Sequence, residues 1–391
     1  MKKIIFVDDD QNILRGLRRV LRFLNGEWEV FYAASGREAL SILGEYDIDI
    51  IVSDYRMPEM NGYELLTQVQ KEYPQVVRAM LTGQPDKETY TDSIQTCHYF
   101  LWKPLNIDEF KLLLTKLTQL DSLIENPYLK KRLCGMTSLP TLPEVYRNLV
   151  RLLSDPDGDY EAIVAMIHND VALSAQVLKI VNSSCYGLIR KIALLDEAVQ
   201  YIGVNTLRSM VLAHHIFQEG LPVAENFNMH ELWQHSLLTA QFSEALVGDC
   251  NDKNLEAMAS FGGLLHDVGK LILVHSFPES YAKIEQLVVD DGCDQLEAEV
   301  RILGANHATI GAYLLSLWGL PEAIVLSALN HHQQQCPSSE LESGAVEAVW
   351  HANRIANGKI DQSDECLSHL QQNQKYCGLL KRTCLGGADV H

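Results

Sequence analysis

The hydrophobic rhythm of the chain changes once, and that change limits the folds open to it. From residue 3 to about residue 120, short apolar runs alternate with amphipathic helical stretches. "KIIFVDD" leads into a helix with Ile13, Leu14, Leu17, Val20, Leu21 and Leu24 on one face, and "EVFYAA", "DIDIIVSD", "VVRAMLTG" and "HYFLWKP" recur as strands. This alternation predicts a doubly wound α/β domain, a parallel five-stranded sheet covered by helices on both sides. In such folds the chemistry sits beyond the carboxyl ends of the strands.

The second half has a different rhythm. "NIDEFKLLLTKLTQLDSLIE" reads as the last helix of the first domain, capped by Asn106. "NPYLKKRLCGMTS", Asn126 to Ser138, loses periodicity and reads as a linker. From Leu139 onward every periodic stretch is helical, and none alternates with period two for long enough to form a strand. The expected division is 1–122, a linker at 123–138, an all-α domain at 139–355 and a polar, loosely ordered tail at 356–391.

Composition narrows the class. A chain of 391 residues is too long for one ordinary core. With 32 basic against 51 acidic side chains, a formal charge of −19 excludes general attraction to nucleic acid or an anionic membrane. There is no recognisable basic helix-turn-helix either, so no direct nucleic-acid partner is expected. Nine cysteines without CxxC pairs fit free thiols in a reducing cytoplasm. The opening "MKKIIFVDDD" carries only Ile4 to Val7 as an apolar run, too short for a signal peptide. No run approaches the ~18 apolar residues of a spanning helix, so a cytoplasmic location without membrane insertion is expected.

Polar residues stand where the strands end. Asp8, Asp9 and Asp10 follow the first strand, Asp54 the third, Thr82 the fourth and Lys103 the fifth. One aspartate after a strand is usually a turn former. Several gathered at one sheet edge repel each other unless a cation sits among them, and hard oxygen ligands suit Mg²⁺. An aspartate between Mg²⁺ and an ammonium is a suitable nucleophile toward a phosphoryl group, with Thr82 placed to hydrogen-bond its oxygen.

"FVDDD", "VSDYRMPEMNG", "LTG" and "FLWKP", in this order and spacing, resemble a response-regulator receiver domain. The resemblance implies that Asp54 is the phosphoacceptor and that a histidine kinase or phosphotransfer protein is the donor. It implies that Asp8, Asp9 and Asp54, with the backbone carbonyl of Arg56, hold Mg²⁺. Thr82 and Lys103 would bind the phosphoryl group, and Phe100 takes the place of the aromatic switch.

The helical half carries "LPTLPEV", "HNDVALSAQVLKIVNSSCYG", "LDEAVQYIGVNTLRSMVL", "GLLHDVGKL" and "NHATIGAYLLSLWGLPEAIVLSALNHH". These resemble the HDOD domain, an HD-related output module that acts in signalling and usually lacks demonstrated enzymatic activity. The implied partner is a downstream signalling protein, with a homodimer as a further assembly.

Glu231, His235, His266, Asp267, His307, His331 and His332 match ligand positions of the related HD-GYP phosphodiesterases, and Asn353 stands where that pattern closes with aspartate. Imidazole with carboxylate suits iron, manganese or zinc. Two departures weaken the likeness. Asn353 is neutral and cannot bridge two ions, so tight binding is not expected. "HHQQQCPSSE" also lacks the glutamate and Gly-Tyr-Pro loop that cyclic dinucleotide hydrolysis uses. The reading is a non-catalytic module, and its alternative is a phosphorylation-gated, metal-dependent phosphohydrolase. His214, His215, Ser183, Cys185, Trp233, Trp318 and Trp350 read as structural residues.

Overall fold

Ile4, Ile5, Phe6 and Val7 are all buried, so the strand they form must be covered on both faces. The computed structural model describes residues 1–24, 26–83, 96–136, 140–141, 160–168, 170–182, 191–202, 218–219, 227–250, 252–335 and 343–358. The first half runs β1 (Lys2–Val7), α1 (Gln11–Val20), β2 (Trp28–Ala33), α2 (Gly36–Glu45), β3 (Ile50–Asp54), α3 (Gly62–Glu72), β4 (Val77–Thr82), β5 (Tyr99–Trp102) and α4 (Ile107–Leu123). The five strands are parallel in the order β2-β1-β3-β4-β5. This is the doubly wound sheet expected from the sequence.

Local chemistry sets the helix starts. Asp10 caps α1 by accepting the Asn12 N–H at 2.7 Å. Asn61 and Glu64 form a reciprocal capping box at α3. Leu14, Leu17 and Leu21 are buried, whereas Val20 is turned outward because a short 3₁₀ turn, Leu21–Leu24, follows α1 and rotates the face.

The presumed linker is largely a helix, α5 (Pro127–Gly135). Pro127 stands in its first turn, and the Asn126 side chain accepts the N–H groups of Tyr128 and Leu129. Leu129, Leu133 and Cys134 are buried, so this connector is part of the core. A second difference is a two-residue parallel pairing of β6 (Pro140–Thr141) with β7 (Gln218–Glu219), too short to leave a sequence pattern.

The remaining described elements are helices. They are α6 (Tyr160–His168), α7 (Val171–Asn182), α8 (Leu195–Ile202), α9 (Met229–Val247), α10 (Lys253–Leu265), α11 (Val268–Ser276), α12 (Pro278–Asp291), α13 (Gln295–Leu303), α14 (His307–Leu317), α15 (Glu322–Asn330) and α16 (Ser343–Ala356). Wholly buried Asp170 starts α7 by accepting the Leu173 N–H, and its other oxygen accepts the Trp233 indole N–H at 3.0 Å. Trp233, Trp318 and Trp350 are buried, as expected. His214, His215, Ser183, Cys185 and the tail beyond residue 358 lie outside the described residues. Lys253–Ser276 is long and apolar enough to cross a membrane by composition, against the sequence expectation, but most of it is buried within the protein.

The two halves meet through named contacts. Arg78 is wholly buried and donates to the carbonyls of Thr96, Val76 and Cys134 at 2.7, 2.9 and 3.0 Å. The Arg78 N–H donates to His98 Nδ1, which fixes the proton on Nε2, and that nitrogen donates to the Cys134 carbonyl at 2.8 Å. Arg132 reaches the Ser276 carbonyl, and Asn126 the Leu303 carbonyl.

Candidate functional site

The strand register brings the first set of polar residues to one edge. Val7 lies beside Ser53, Asp54 beside Leu81 and Thr82 beside Trp102. Asp8, Asp54 and Thr82 are buried, while Asp9 is exposed. The Lys103 ammonium sits 2.7 Å from Asp8 Oδ2 and 2.8 Å from Asp54 Oδ1. Its backbone is anchored by its own N–H to the Thr82 carbonyl at 2.9 Å. Oxygens of Asp8, Asp9 and Asp54 all lie within 4.8 Å of one another, a donor set that fits a hard divalent cation.

Burial pushes the Asp54 carboxyl up from its ordinary value, against the hydrogen bond and charge of Lys103. For Lys103, burial acts downward but is outweighed by Asp54 and Asp8, so the ammonium is held above its usual range. A Cβ on Gly62 would lie 2.1 Å from the Asp54 carbonyl oxygen, so only glycine lets α3 begin so close beneath that residue. Arg56 is exposed two residues past Asp54. Phe100 lies in β5 opposite Met80, and its side chain is outside the described residues.

The second set converges between helices. His266 and Asp267 form the turn between α10 and α11 rather than the middle of one helix, and it is Asp267 that takes Lys270, at 2.6 Å. A Cβ on Gly269 would lie 1.9 Å from the His307 carbonyl oxygen, so α11 meets the start of α14 backbone to backbone. His331 follows α15, and Asn353 comes from α16.

Asp267 faces two groups of imidazoles with its two oxygens. Oδ1 lies 3.3 Å from both His307 Nε2 and His331 Nε2. Oδ2 lies 3.3 Å from His266 Nε2 and 3.7 Å from His235 Nε2. His332 Nε2 is 2.9 Å from His307 Nε2, and Asn353 Oδ1 is 3.0 Å from His235 Nε2. The carboxylate belongs to both groups that could hold a metal ion, one with His307, His331 and His332, the other with His235 and His266.

Burial acts upward on the Asp267 carboxyl, but His266 and Lys270 beside it hold the group well below the usual carboxylate range. Burial pushes His331 down to about 4. His307 goes the other way: Asp267 and Glu299 outweigh its burial.

Of the residues expected here, only Glu231 stands apart. It is exposed in the first turn of α9, where its carboxylate accepts from Asn228 at 2.7 Å while its N–H donates to the same side chain. A residue the sequence reading missed takes part instead. Glu299 is wholly buried and accepts both the His307 N–H, at 2.7 Å, and the His307 Nδ1–H, at 2.8 Å. The signal was a carboxylate on the apolar face of α13, one turn before Ile302 and Leu303.

Residues 139–334, half of the chain, match the HDOD domain. The chain belongs to the HDOD family. Residues 4–115 match the response regulator receiver domain, so the HDOD half is the HD-related output domain of a response regulator. An uncharacterized protein of Treponema pallidum is 28% identical over 197 residues, covering 50% of this chain and 37% of its own length. The transcriptional regulatory protein GlrR of Escherichia coli is 35% identical over 108 residues, 27% of this chain and 23% of GlrR. The chain thus spans well under half of these curated relatives. Among solved structures, the MmoQ response regulator of Methylococcus capsulatus aligns with a TM-score of 0.52 at 22% identity, over 62% of this chain and 98% of MmoQ. That likeness shows a shared fold.

Proposed function

We propose that the receiver half accepts a phosphoryl group on Asp54 from a histidine kinase or phosphotransfer protein, and that the HDOD half passes this state to a downstream signalling protein without turnover. The observation that carries the reading is Lys103, held between the Asp8 and Asp54 carboxylates at the strand ends. An Asp54 carboxylate oxygen forms the new P–O bond as the donor's P–N bond breaks. Lys103 pairs with the charge of the transferred group, and Thr82 is placed to hydrogen-bond one of its oxygens. Asp8, Asp9, Asp54 and the Arg56 carbonyl are the groups that would hold Mg²⁺, whose charge would further neutralise the phosphoryl oxygens. Intact-mass measurement with a small phosphodonor and Mg²⁺ tests this. One phosphoryl adduct is expected in the wild type and none in Asp54→Ala; an equal adduct in the variant would move the site elsewhere.

A second reading, a phosphorylation-gated phosphohydrolase, is favoured by two buried atoms without hydrogen-bond partners, Asp267 Oδ1 and His331 Nε2. Against it stand Asn353 and the absent Gly-Tyr-Pro loop. Hydrolysis of cyclic dinucleotides or nucleoside monophosphates that disappears in Asp267→Ala would establish it.

A further inference from the structure

The hydrogen bonds of the histidine cluster divide it into two unequal lobes. Nδ1 of His266, His307 and His331 each has a fixed acceptor: the Gly263 carbonyl at 2.7 Å, the Glu299 carboxylate at 2.8 Å and the Ala328 carbonyl at 2.7 Å. In a neutral imidazole the proton then sits on Nδ1, and Nε2 presents a bare lone pair inward. In the lobe around Asp267 Oδ2, each inward-facing atom has a hydrogen-bond partner. Lys270 donates to Oδ2, and the His235 Nε2–H lies 3.0 Å from Asn353 Oδ1 and 3.2 Å from His266 Nε2. The Asn353 amide is set for this role, since its Nδ2 donates to the His331 carbonyl.

The lobe around Oδ1 is closed only in part: His307 Nε2 has His332 Nε2 at 2.9 Å, and the other two inward-facing atoms have nothing. Asp267 Oδ1 and His331 Nε2 are both buried without a hydrogen-bond partner, facing each other and His307 Nε2. Leaving a buried carboxylate oxygen and a buried imidazole lone pair unsatisfied costs several kcal/mol in general, so something positive belongs between them.

We infer that this cluster binds one divalent transition cation, not two, held by Asp267 Oδ1 and Nε2 of His307, His331 and His332, while Lys270, His235 and Asn353 fill the second position. Three imidazole nitrogens and one carboxylate oxygen suit zinc, iron(II) or manganese rather than Mg²⁺. Asn353 lies on the closed lobe, so its neutral amide removes a second ion without weakening the first. Glu299 is a positioning residue, turning His307 Nε2 inward and keeping its proton on Nδ1. His332 is the exposed member of the set, so the ion enters from its side. The inference rests on the cluster being a cation site and not on turnover, so it survives if neither phosphorylation nor hydrolysis is found.

The test is a Co²⁺ titration of the full chain, stripped with chelator and kept in excess Mg²⁺ to fill the receiver pocket. The visible ligand-field bands of cobalt should saturate at one equivalent per chain. His332→Ala, at an exposed position that should still fold, should weaken binding by more than about tenfold. Glu299→Gln should weaken it by about 10–100-fold. His235→Ala should change it by less than about threefold, the mark of a group outside the site. Circular dichroism confirms that each variant is folded. Saturation at two equivalents, equal loss in His235→Ala and His332→Ala, or no cobalt spectrum in the stripped wild type would each overturn the assignment; the last would mean that protons fill the lobe.

Discussion

The hydroxyl of Tyr99 donates to the carbonyl of Ser316 at 2.9 Å, which joins receiver strand β5 to the last turn of the helix that starts at His307. Tyr99 neighbours Phe100, the position that the receiver likeness marks as a switch. One end of α14 therefore touches the receiver while the other supplies the histidine cluster.

Tyr99→Phe should cost about 0.5–1 kcal/mol of stability, the lower part of the usual range for a hydrogen bond. The Ser316 carbonyl keeps the Gly319 N–H at 2.9 Å, so no buried acceptor is stranded. Urea unfolding reads the loss. Amide exchange should show faster opening at the end of α14 than at its start. A uniform change along the helix would mean that Tyr99 does not act locally.

Lys179 gives the interface a pH dependence. Burial, with Arg78 nearby, pushes its ammonium down to about 7 from an ordinary 10.5. Its Nζ lies 4.3 Å from the centre of the Trp318 ring. Between about pH 7 and the ordinary lysine value, the unfolded chain binds a proton that the folded chain has lost. This contribution to stability therefore rises with pH. Lys179→Met should remove a slope of up to about 1.4 kcal/mol per pH unit, read as wild type minus variant from pH 7 to about pH 9. In the wild-type curve alone, buried Cys97 opposes the trend above that range, because its thiol is pushed up to about 12; its contribution is common to both proteins and cancels from the difference. A slope unchanged by the substitution would refute the burial argument.

Gly269→Ala should destabilise by about 1–3 kcal/mol and weaken metal binding, since the new methyl group must push the His307 carbonyl away. Gly16 in α1 is the control, with nothing within 4 Å of a built Cβ. Gly16→Ala should stabilise by about 0.4–1 kcal/mol through the unfolded chain. Thermal melts of the two variants should move in opposite directions, and a common direction would contradict the close approach at Gly269.

The sheet was readable because parallel strands buried on both faces appear as continuous apolar runs, and its strand-end aspartates and Lys103 stood at the positions where such folds collect polar groups. The α5 helix was not, because its burial rests on only Leu129, Leu133 and Cys134 amid lysines and arginine. Its signal was the cap, Asn126 followed by Pro127, rather than the period. Glu231 and His235 are four apart on one helix, yet helix spacing does not say which end lies at the cluster. Glu299 was invisible to ligand matching because it touches the site only through His307.

Arg78 bears on how interchangeable the two halves are. Its guanidinium reaches from β4 to a carbonyl in α5 and is wholly buried. A receiver grafted from another protein would need an arginine here, with His98 beside it, or the Cys134 carbonyl would lose both donors. Chimeras joined at residue 122 should therefore inherit a defect at the seam, whereas a junction after Gly135 would carry the matching carbonyl along with its donors. For protein engineering, the natural cutting point lies beyond α5 rather than at the end of the receiver.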